Sequence, residues 1–155
     1  MTDVRLNFEN LRFDLSYKFG NIVSDDGLET AVCISLFTDR RVAEEELPRG
    51  ENDRRGWFGD AIADIKGDEI GSRLWLLDRL SASPLTRTKA EEYAKEALQW
   101  LLDDAVAESV DVEAVLINRE YIELRITIQR LNVRNKDYYR YQLVWEGEVM
   151  NARRI

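Results

Sequence analysis

Thirty carboxylates are the residues of this sequence best suited to acid and base chemistry. Two of them could flank a sugar bond, one as acid and one as base, in a glycan-cleaving enzyme. The adjacent acids at 25–26, 44–46 and 103–104 are instead explained by a helix cap, a solvated run and a helix end. The sequence therefore selects no catalytic pair, and we expect no catalytic residues.

Metal and cofactor chemistry also lacks the usual ligands. The chain has no histidine, which removes the commonest general base and the commonest transition-metal ligand. Cys33 is its single cysteine, so we exclude a zinc cage and an internal disulfide and expect a reducing compartment. The acids between Asp60 and Glu69 depart from the spacing of a twelve-residue calcium loop. We predict no metal and no cofactor.

The composition is typical of a globular protein. Of the 155 residues, 45% are hydrophobic and 34% are charged. The apolar runs are too short to cross a bilayer, and the polar, acidic start does not have the pattern of a signal peptide. A net charge of -8 argues against binding to nucleic acid phosphates. We expect a single domain over residues 1–155 that binds neither membrane nor nucleic acid.

A long amphipathic helix is predicted over residues 88–108, and the rest of the core should pack on it. Its apolar residues recur at spacings of three and four. Thr88 and Glu91 have the spacing of a capping box, which predicts that the helix begins at Thr88.

Two shorter helices are predicted, over residues 27–37 and 71–80. Ser24 and the acids after it supply a cap and a favourable charge for the first helix. Cys33 lies one residue off its apolar face, where we expect a small, semi-buried and unreactive side chain. In the second helix the side chains expected to turn inward are Leu74, Trp75 and Leu77, and Ser83-Pro84 should break the chain afterwards.

Alternating apolar and polar residues predict strands near both ends of the chain. The first is a half-buried strand over residues 11–19. Three more, at 110–117, 121–129 and 139–145, are separated by polar turns and predict an antiparallel meander. The predicted fold class is α+β, with an N-terminal β-strand or hairpin, about three helices and a C-terminal three-stranded meander.

Residues 38–70 have neither helical nor strand periodicity and are predicted to form a long docking loop. Trp57 and Phe58 lie between glycines and favour an anchor onto the body or onto a partner. The repeated Asp-Arg-Arg could be a solvated salt-bridge face or a docking site for carboxylates of another chain. The predicted partner-binding residues of this loop are Arg40, Arg41, Arg54, Arg55, Trp57 and Phe58.

The C-terminal sheet should offer an unpaired edge to a strand of another chain. The partner-binding residues predicted there are Tyr139, Tyr141, Leu143 and Trp145. The tail, residues 147–155, would be either frayed or ordered by a partner, and we expect it to be flexible in the isolated chain.

Four stretches, taken in order, resemble the Mu-like phage tail proteins of the baseplate wedge family. They are DDGLETAV at 25–32, SLFTDRR at 35–41, DRRGWFGD at 53–60 and GSRLWLL at 71–77. The similarity runs from about residue 25 to 100 and more loosely to 145. More distantly, the group is similar to the T-even wedge protein that starts sheath assembly, whose family has an old lysozyme label. A Glu-Pro-Arg motif follows the helix in that relative, whereas this chain has Leu-Leu-Asp-Asp at 101–104.

The resemblance implies a structural wedge subunit of a contractile phage or prophage tail, with no enzymatic activity. Its partners would be other baseplate wedge proteins and the tail sheath protein. The chain would be part of an oligomeric baseplate in the virion, assembled in the cytoplasm of the bacterial host. The C-terminal strands would join a sheet shared with the first sheath subunits. A glycan-cleaving, lysozyme-like tail enzyme and a cytosolic adaptor protein are the alternatives.

Overall fold

The computed structural model describes residues 3–9, 11–25, 27–62, 69–146 and 149–155, and its fold is α+β as predicted. The strands are β1 (Asp3–Val4), β2 (Leu6–Glu9), β3 (Arg12–Leu15), β4 (Tyr17–Lys18), β5 (Asn21–Ile22), β6 (Ser24–Asp25), β7 (Ala107–Leu116), β8 (Tyr121–Arg130), β9 (Asp137–Glu146) and β10 (Val149–Arg154). The α-helices are α1 (Glu29–Phe37), α2 (Pro84–Leu98) and α3 (Trp100–Asp103), and 3₁₀ turns cover Glu44–Glu46, Phe58–Ile62 and Leu74–Leu77. No helix among the described residues is long and apolar enough to cross a membrane.

One antiparallel sheet of six strands, in the order β3-β2-β10-β9-β8-β7, carries the core. The predicted meander is confirmed, since β7, β8 and β9 pair consecutively. Every second residue of β8 points into the core and is at most 1% exposed: Ile122, Leu124, Ile126 and Ile128. Burying each such side chain contributes about 1.5–3 kcal/mol, so the alternating pattern determines which face of the sheet packs against the helices.

The predicted number of strands is wrong, because β2, β3 and β10 extend the sheet. The segment Val149–Arg154, for which we expect a flexible tail, forms β10 between β9 and β2. Met150 and Ala152 are buried and lie opposite Trp145 and Leu143. Two alternating apolar residues are too short a pattern to indicate a strand from sequence alone.

The predicted strand over residues 11–19 is divided into two pieces, β3 and β4. The division is at Ser16, whose N–H bonds to Arg5 O and whose carbonyl accepts from Val23 N–H. Leu11 and Phe19, at the two ends of the predicted strand, have φ angles of 58° and 51°, which are turn conformations. β2 and β3 pair antiparallel, with Glu9 opposite Arg12, so the alternative of an N-terminal hairpin is correct.

Helix α2 begins four residues before its predicted start. The Ser83 hydroxyl accepts a hydrogen bond from the Thr86 N–H at 3.1 Å, and Pro84 occupies the first turn. Ser and Pro at these positions start a helix, because the side chain caps a free N–H and proline needs none. Thr88 lies inside the helix, where its hydroxyl donates to the Pro84 carbonyl at 3.1 Å. The predicted capping box is therefore wrong.

The predicted end of the long helix is also wrong. Helix α2 ends at Leu98, α3 follows it, and β7 has already begun at Ala107. Ala105 has a φ of 54°, which turns the chain from the helices into the sheet. Glu108, the predicted last helical residue, therefore belongs to β7.

The other two predicted helices have different outcomes. Helix α1 begins within two residues of its predicted start and ends as predicted. Cys33 is fully buried there, its sulfur lies 3.1 Å from the Tyr141 hydroxyl, and burial raises the pKa of the thiol to about 11. This thiol is inert at neutral pH. The segment 71–80 contains only the 3₁₀ turn Leu74–Leu77, in which the three predicted residues do turn inward.

Candidate docking surfaces

Residues 38–70 leave and rejoin the body at one point. Asp39 and Ser72 form a parallel bridge, in which Arg40 N–H donates to Ser72 O and Ser72 N–H donates to Thr38 O, both at 2.9 Å. Gly71 has a φ of 100°, and a Cβ at this position would collide with the Thr38 carbonyl. Glycine is needed there for the two chain segments to approach. Residues 63–68 of the loop, which include Asp64 and Asp68, lie outside the described residues.

A chain of five charged side chains ties this loop to α2. Arg73 binds Glu46 at 2.6 Å and Glu96 at 2.7 Å. Arg40 joins the same Glu96 at 3.4 Å and Glu69 at 3.1 Å. Each pair is partly exposed and contributes at most about 1 kcal/mol, but together they fix where the loop lies. Arg40 is therefore bound within the chain.

Arg55 is held on three sides. Its guanidinium binds Asp39 at 2.8 Å and Asp78 at 3.4 Å, and it lies 4.3 Å from the centre of the Trp75 ring. Burial raises the pKa of Asp78, and the nearby Arg55 charge opposes that rise. The geometry makes Arg55 a support of the loop.

The other two predicted docking arginines contact backbone carbonyls. Arg54 Nε donates to Val42 O at 2.6 Å, and Arg41 Nη1 donates to Arg55 O at 3.3 Å. Arg41 is exposed. All four predicted arginines thus have partners within the loop or the body.

Trp57 and Phe58 are the apolar residues predicted for docking in the loop, and both have surface free for a partner. They are 47% and 78% exposed, and their rings lie 5.3 Å apart. Trp57 lines a cleft of about 600 Å³, with Ile62 and Trp100 also in its wall. Exposed apolar groups around a cleft are typical of protein interaction sites. Among the described residues, no group of three or more His, Cys, Asp or Glu could hold a metal ion.

Three of the partner-binding residues predicted on the last meander strand are buried in the core, and the fourth, Trp145, is partly buried against it. Tyr139, Tyr141 and Leu143 are at most 5% exposed, and Trp145 donates its ring N–H to Leu77 O at 3.0 Å. Their strand, β9, is paired with β8 on one side and β10 on the other. It has no free edge, because the segment beyond residue 147 supplies the extra strand. Within the part of the chain that the structure describes, the outer strands of the sheet are β7 and β3.

Helix α2 seals part of the β7 edge. Ile117, an odd-numbered residue, donates its N–H to the Tyr121 carbonyl of the neighbouring strand. Because hydrogen bonding alternates along antiparallel strands, the backbone N–H and C=O groups of even-numbered β7 residues point away from β8. Ala114 N–H donates to Glu91 Oε2 at 3.1 Å, and its carbonyl accepts from Arg87 Nη1 at 3.4 Å. Two side chains of α2 thus occupy the outward groups of Ala114. Sequence reasoning assigned Glu91 to a cap, although its spacing of four from Arg87 indicated a shared helix face.

Among the residues that the structure describes, the β7 edge has no hydrogen-bond partner at Val110, which is partly exposed, or at Val112, which is 6% exposed. Both residues direct backbone N–H and C=O groups outward, and no hydrogen bond within the described residues occupies these groups. A cleft of about 430 Å³ is lined by both valines and by Lys95, and it extends across the sheet to Tyr138 of β9. A partner strand could bind here without displacing the α2 side chains at Ala114.

The β3 edge has no such seal. Ser16 N–H donates to Arg5 O at 3.0 Å, so Phe13 and Leu15 direct their backbone groups away from β2. Leu15 N–H donates to the Asp14 carboxylate at 2.8 Å, and no hydrogen bond within the described residues reaches the outward groups of Phe13. Phe13 and Leu15 are 36% and 40% exposed. The β4–β5 hairpin beyond them also exposes Tyr17, Phe19 and Ile22.

Comparison with known families gives the class of this protein. A model of the family described as phage protein GP46 matches residues 28–135. The chain belongs to this family, and the resemblance to Mu-like phage baseplate proteins is confirmed. The residues matched by the family model include β7, whereas β3 lies before the first matched residue.

Two relatives make the relationship specific. Baseplate protein gp46 of Escherichia phage Mu is 42% identical over 129 residues, which cover 83% of this chain and 87% of that protein. The Mu-like prophage FluMu protein gp46 of Haemophilus influenzae is 43% identical over 114 residues, covering 74% and 76%. No solved structure matches the chain.

Proposed function

We propose that this chain is a wedge subunit of a contractile phage or prophage tail, which joins other wedge proteins and gives a sheet edge to the tail sheath. The 42% identity to a Mu baseplate protein supports the baseplate role. The chain acts as a structural component of the virion, assembled in the bacterial cytoplasm, and it uses no cofactor. Clearing of purified peptidoglycan by the chain would contradict this role.

The observation that carries the sheath contact is the open stretch of the β7 edge within the family-matched residues. A sheath strand beside Val110 and Val112 would form backbone hydrogen bonds that the free chain lacks. The seal at Ala114 restricts docking to the part of β7 that precedes it. Assembly, rather than folding of the chain, would complete the sheet.

The test compares Val110→Pro with Val110→Ala in binding to the purified sheath protein. Proline removes the outward N–H, while the bonds from β7 to β8 come from odd-numbered residues and are kept. The alanine variant also loses the valine side chain but keeps the backbone N–H. We expect the proline variant to bind at least roughly tenfold more weakly than the alanine variant, at matched melting temperatures. Equal affinities would overturn the sheath proposal.

The second docking surface is the exposed pair Trp57 and Phe58, which would contact other wedge proteins. The arginines around this pair position the loop, and the two rings supply apolar area. Replacing both rings with alanine should reduce pull-down of wedge proteins and leave sheath binding unchanged. Leu85→Ala is the control, because it removes a comparably exposed apolar side chain from α2. Unchanged wedge binding in the double variant would exclude this surface.

A further inference from the structure

We infer that the β3 edge pairs with the β3 edge of a second copy of this chain, antiparallel, with Phe13 opposite Phe13. Three features carry the inference: the direction of the free backbone groups, the order of charges along the strand, and the exposed apolar residues. It is independent of the proposed sheath contact at β7.

The backbone groups of Phe13 fit a twofold arrangement. Its N–H and C=O both point away from β2, because the ladder to β2 is made by even-numbered residues. In an antiparallel pair centred on this residue, each Phe13 donates its N–H to the carbonyl of the other. One pair of residues thus supplies two hydrogen bonds related by symmetry, as a contact between identical surfaces requires.

The charges of β3 are complementary to themselves in the same register. Arg12 lies opposite Asp14 of the second copy, and Asp14 lies opposite its Arg12. Neither side chain forms a salt bridge among the described residues, and both are exposed. Opposite charges placed directly across two strands stabilise the pair, whereas like charges destabilise it. A register shifted by one residue would place Arg12 and Asp14 opposite apolar side chains.

The apolar residues of β3 and its turn complete the match. Leu11 lies opposite Leu15 of the second copy, and both flank the central pair of phenylalanines. These side chains are 36–40% exposed in the single chain, although they lie on the apolar face of the sheet. Pairing continues the sheet and covers them, which is the usual fate of an unprotected edge.

The test is sedimentation of the full chain over a range of concentrations. We expect a monomer–dimer equilibrium for the wild type. Asp14→Arg places two arginines opposite each other, and Arg12→Asp does the same with two aspartates, so each variant alone should dissociate at least roughly tenfold more readily. Arg119→Asp, in the exposed turn between β7 and β8, matches the change in net charge of Arg12→Asp and is its control.

Mixing the two variants separates this register from any general effect of charge. The mixture pairs arginine with aspartate at both positions, so it should form a heterodimer about as stable as the wild-type dimer. A wild type that stays monomeric, or a mixture that stays monomeric while both variants are folded, would overturn the inference.

A cysteine at position 13 tests the register by cross-linking, and it leaves the charged residues of β3 unchanged. Hydrogen-bonded antiparallel partners have Cα atoms about 5.5 Å apart, which permits a disulfide. Phe13→Cys should therefore form a cross-linked dimer on mild oxidation. Asp14→Cys should not, because position 14 lies opposite position 12 of the second copy and is two residues away from the second cysteine. The native Cys33 is buried and does not compete. Equal cross-linking of the two variants, or none in either, would contradict the pairing.

Discussion

The strands β7 and β3 are the outer strands of the same six-stranded sheet, and they differ in what covers them. Helix α2 supplies Glu91 and Arg87 to the outward groups of Ala114, so only part of β7 is open. No helix side chain among the described residues caps β3. An edge that is partly sealed can select one partner strand, whereas an edge with a self-complementary order of charges selects its own copy.

The largest change in the free energy of unfolding is expected for a substitution in β10, a central strand of the sheet. β10 links β9 to β2, and Met150 is 2% exposed there. Met150→Ala should lower the free energy of unfolding by about 3 kcal/mol, because it leaves a cavity between the two halves of the sheet. Val149→Ala, at a side chain that is 55% exposed, should change it by less than about 0.5 kcal/mol. Urea unfolding measures both, and similar losses would show that β10 is not the connection.

The next effect concerns the seal of the β7 edge. Glu91→Ala leaves the buried Ala114 N–H without its acceptor, which should cost about 2 kcal/mol. The exposed neighbour Glu92 is the matched control, and its replacement by alanine should be nearly neutral. Thermal unfolding compares the two variants, and faster hydrogen exchange at Ala114 should accompany the loss. An unchanged Ala114 amide in Glu91→Ala would mean that the edge is not sealed by this side chain.

A smaller effect tests the start of α2, the helix that carries the seal. Ser83→Ala should cost about 1 kcal/mol, because the hydroxyl caps the Thr86 N–H. Thr88→Ala, inside the helix, should cost less than about 0.5 kcal/mol. The reverse order in denaturant unfolding would restore the capping box predicted from sequence.

The smallest expected effect is the pH dependence of the stability that Glu91 contributes through its hydrogen bond with the Ala114 N–H. Hydrogen bonds from Lys95 and from the Ala114 N–H lower the pKa of Glu91 below its ordinary value of 4.5. The ionised carboxylate therefore stabilises the fold above pH 4.5, and this contribution is lost as the pH falls through the lower, folded-state pKa. The difference in unfolding free energy between the wild type and Glu91→Gln should shrink below pH 4.5. A difference that stays constant down to about pH 3 would contradict the assignment.

These edges also show how far the sequence predicts the fold. Strong alternation over ten residues identified β7, β8 and β9, and a clear apolar face identified α1, because both patterns are local. β10 has too few alternating apolar residues to be recognised, although it pairs with the adjacent β9. The contact that joins β10 to β2, Arg153 opposite Glu9, links the two ends of the chain, and no local pattern reveals it. Ser83-Pro84 was misread because the same residues can end one element or begin the next.

The candidate docking residues divide in the same way. The sequence predicts Trp57 and Phe58 as docking residues, and the structure shows that both side chains are exposed. It does not reveal that Arg55 faces Asp78 and Trp75, or that Tyr141 is buried beside Cys33, since those contacts join distant parts of the chain. Which strand is an edge is likewise a property of the whole sheet.

Amide hydrogen exchange at Phe13 and Val112 tests the difference between the two edges most directly. In the chain alone, protection of the Phe13 amide should rise with protein concentration, while protection of the Val112 amide should not change with concentration. Added sheath protein should protect Val112 and leave Phe13 unchanged at constant chain concentration. Protection of Phe13 by sheath protein, or of Val112 by self-association, would contradict the assignment of one partner to each edge.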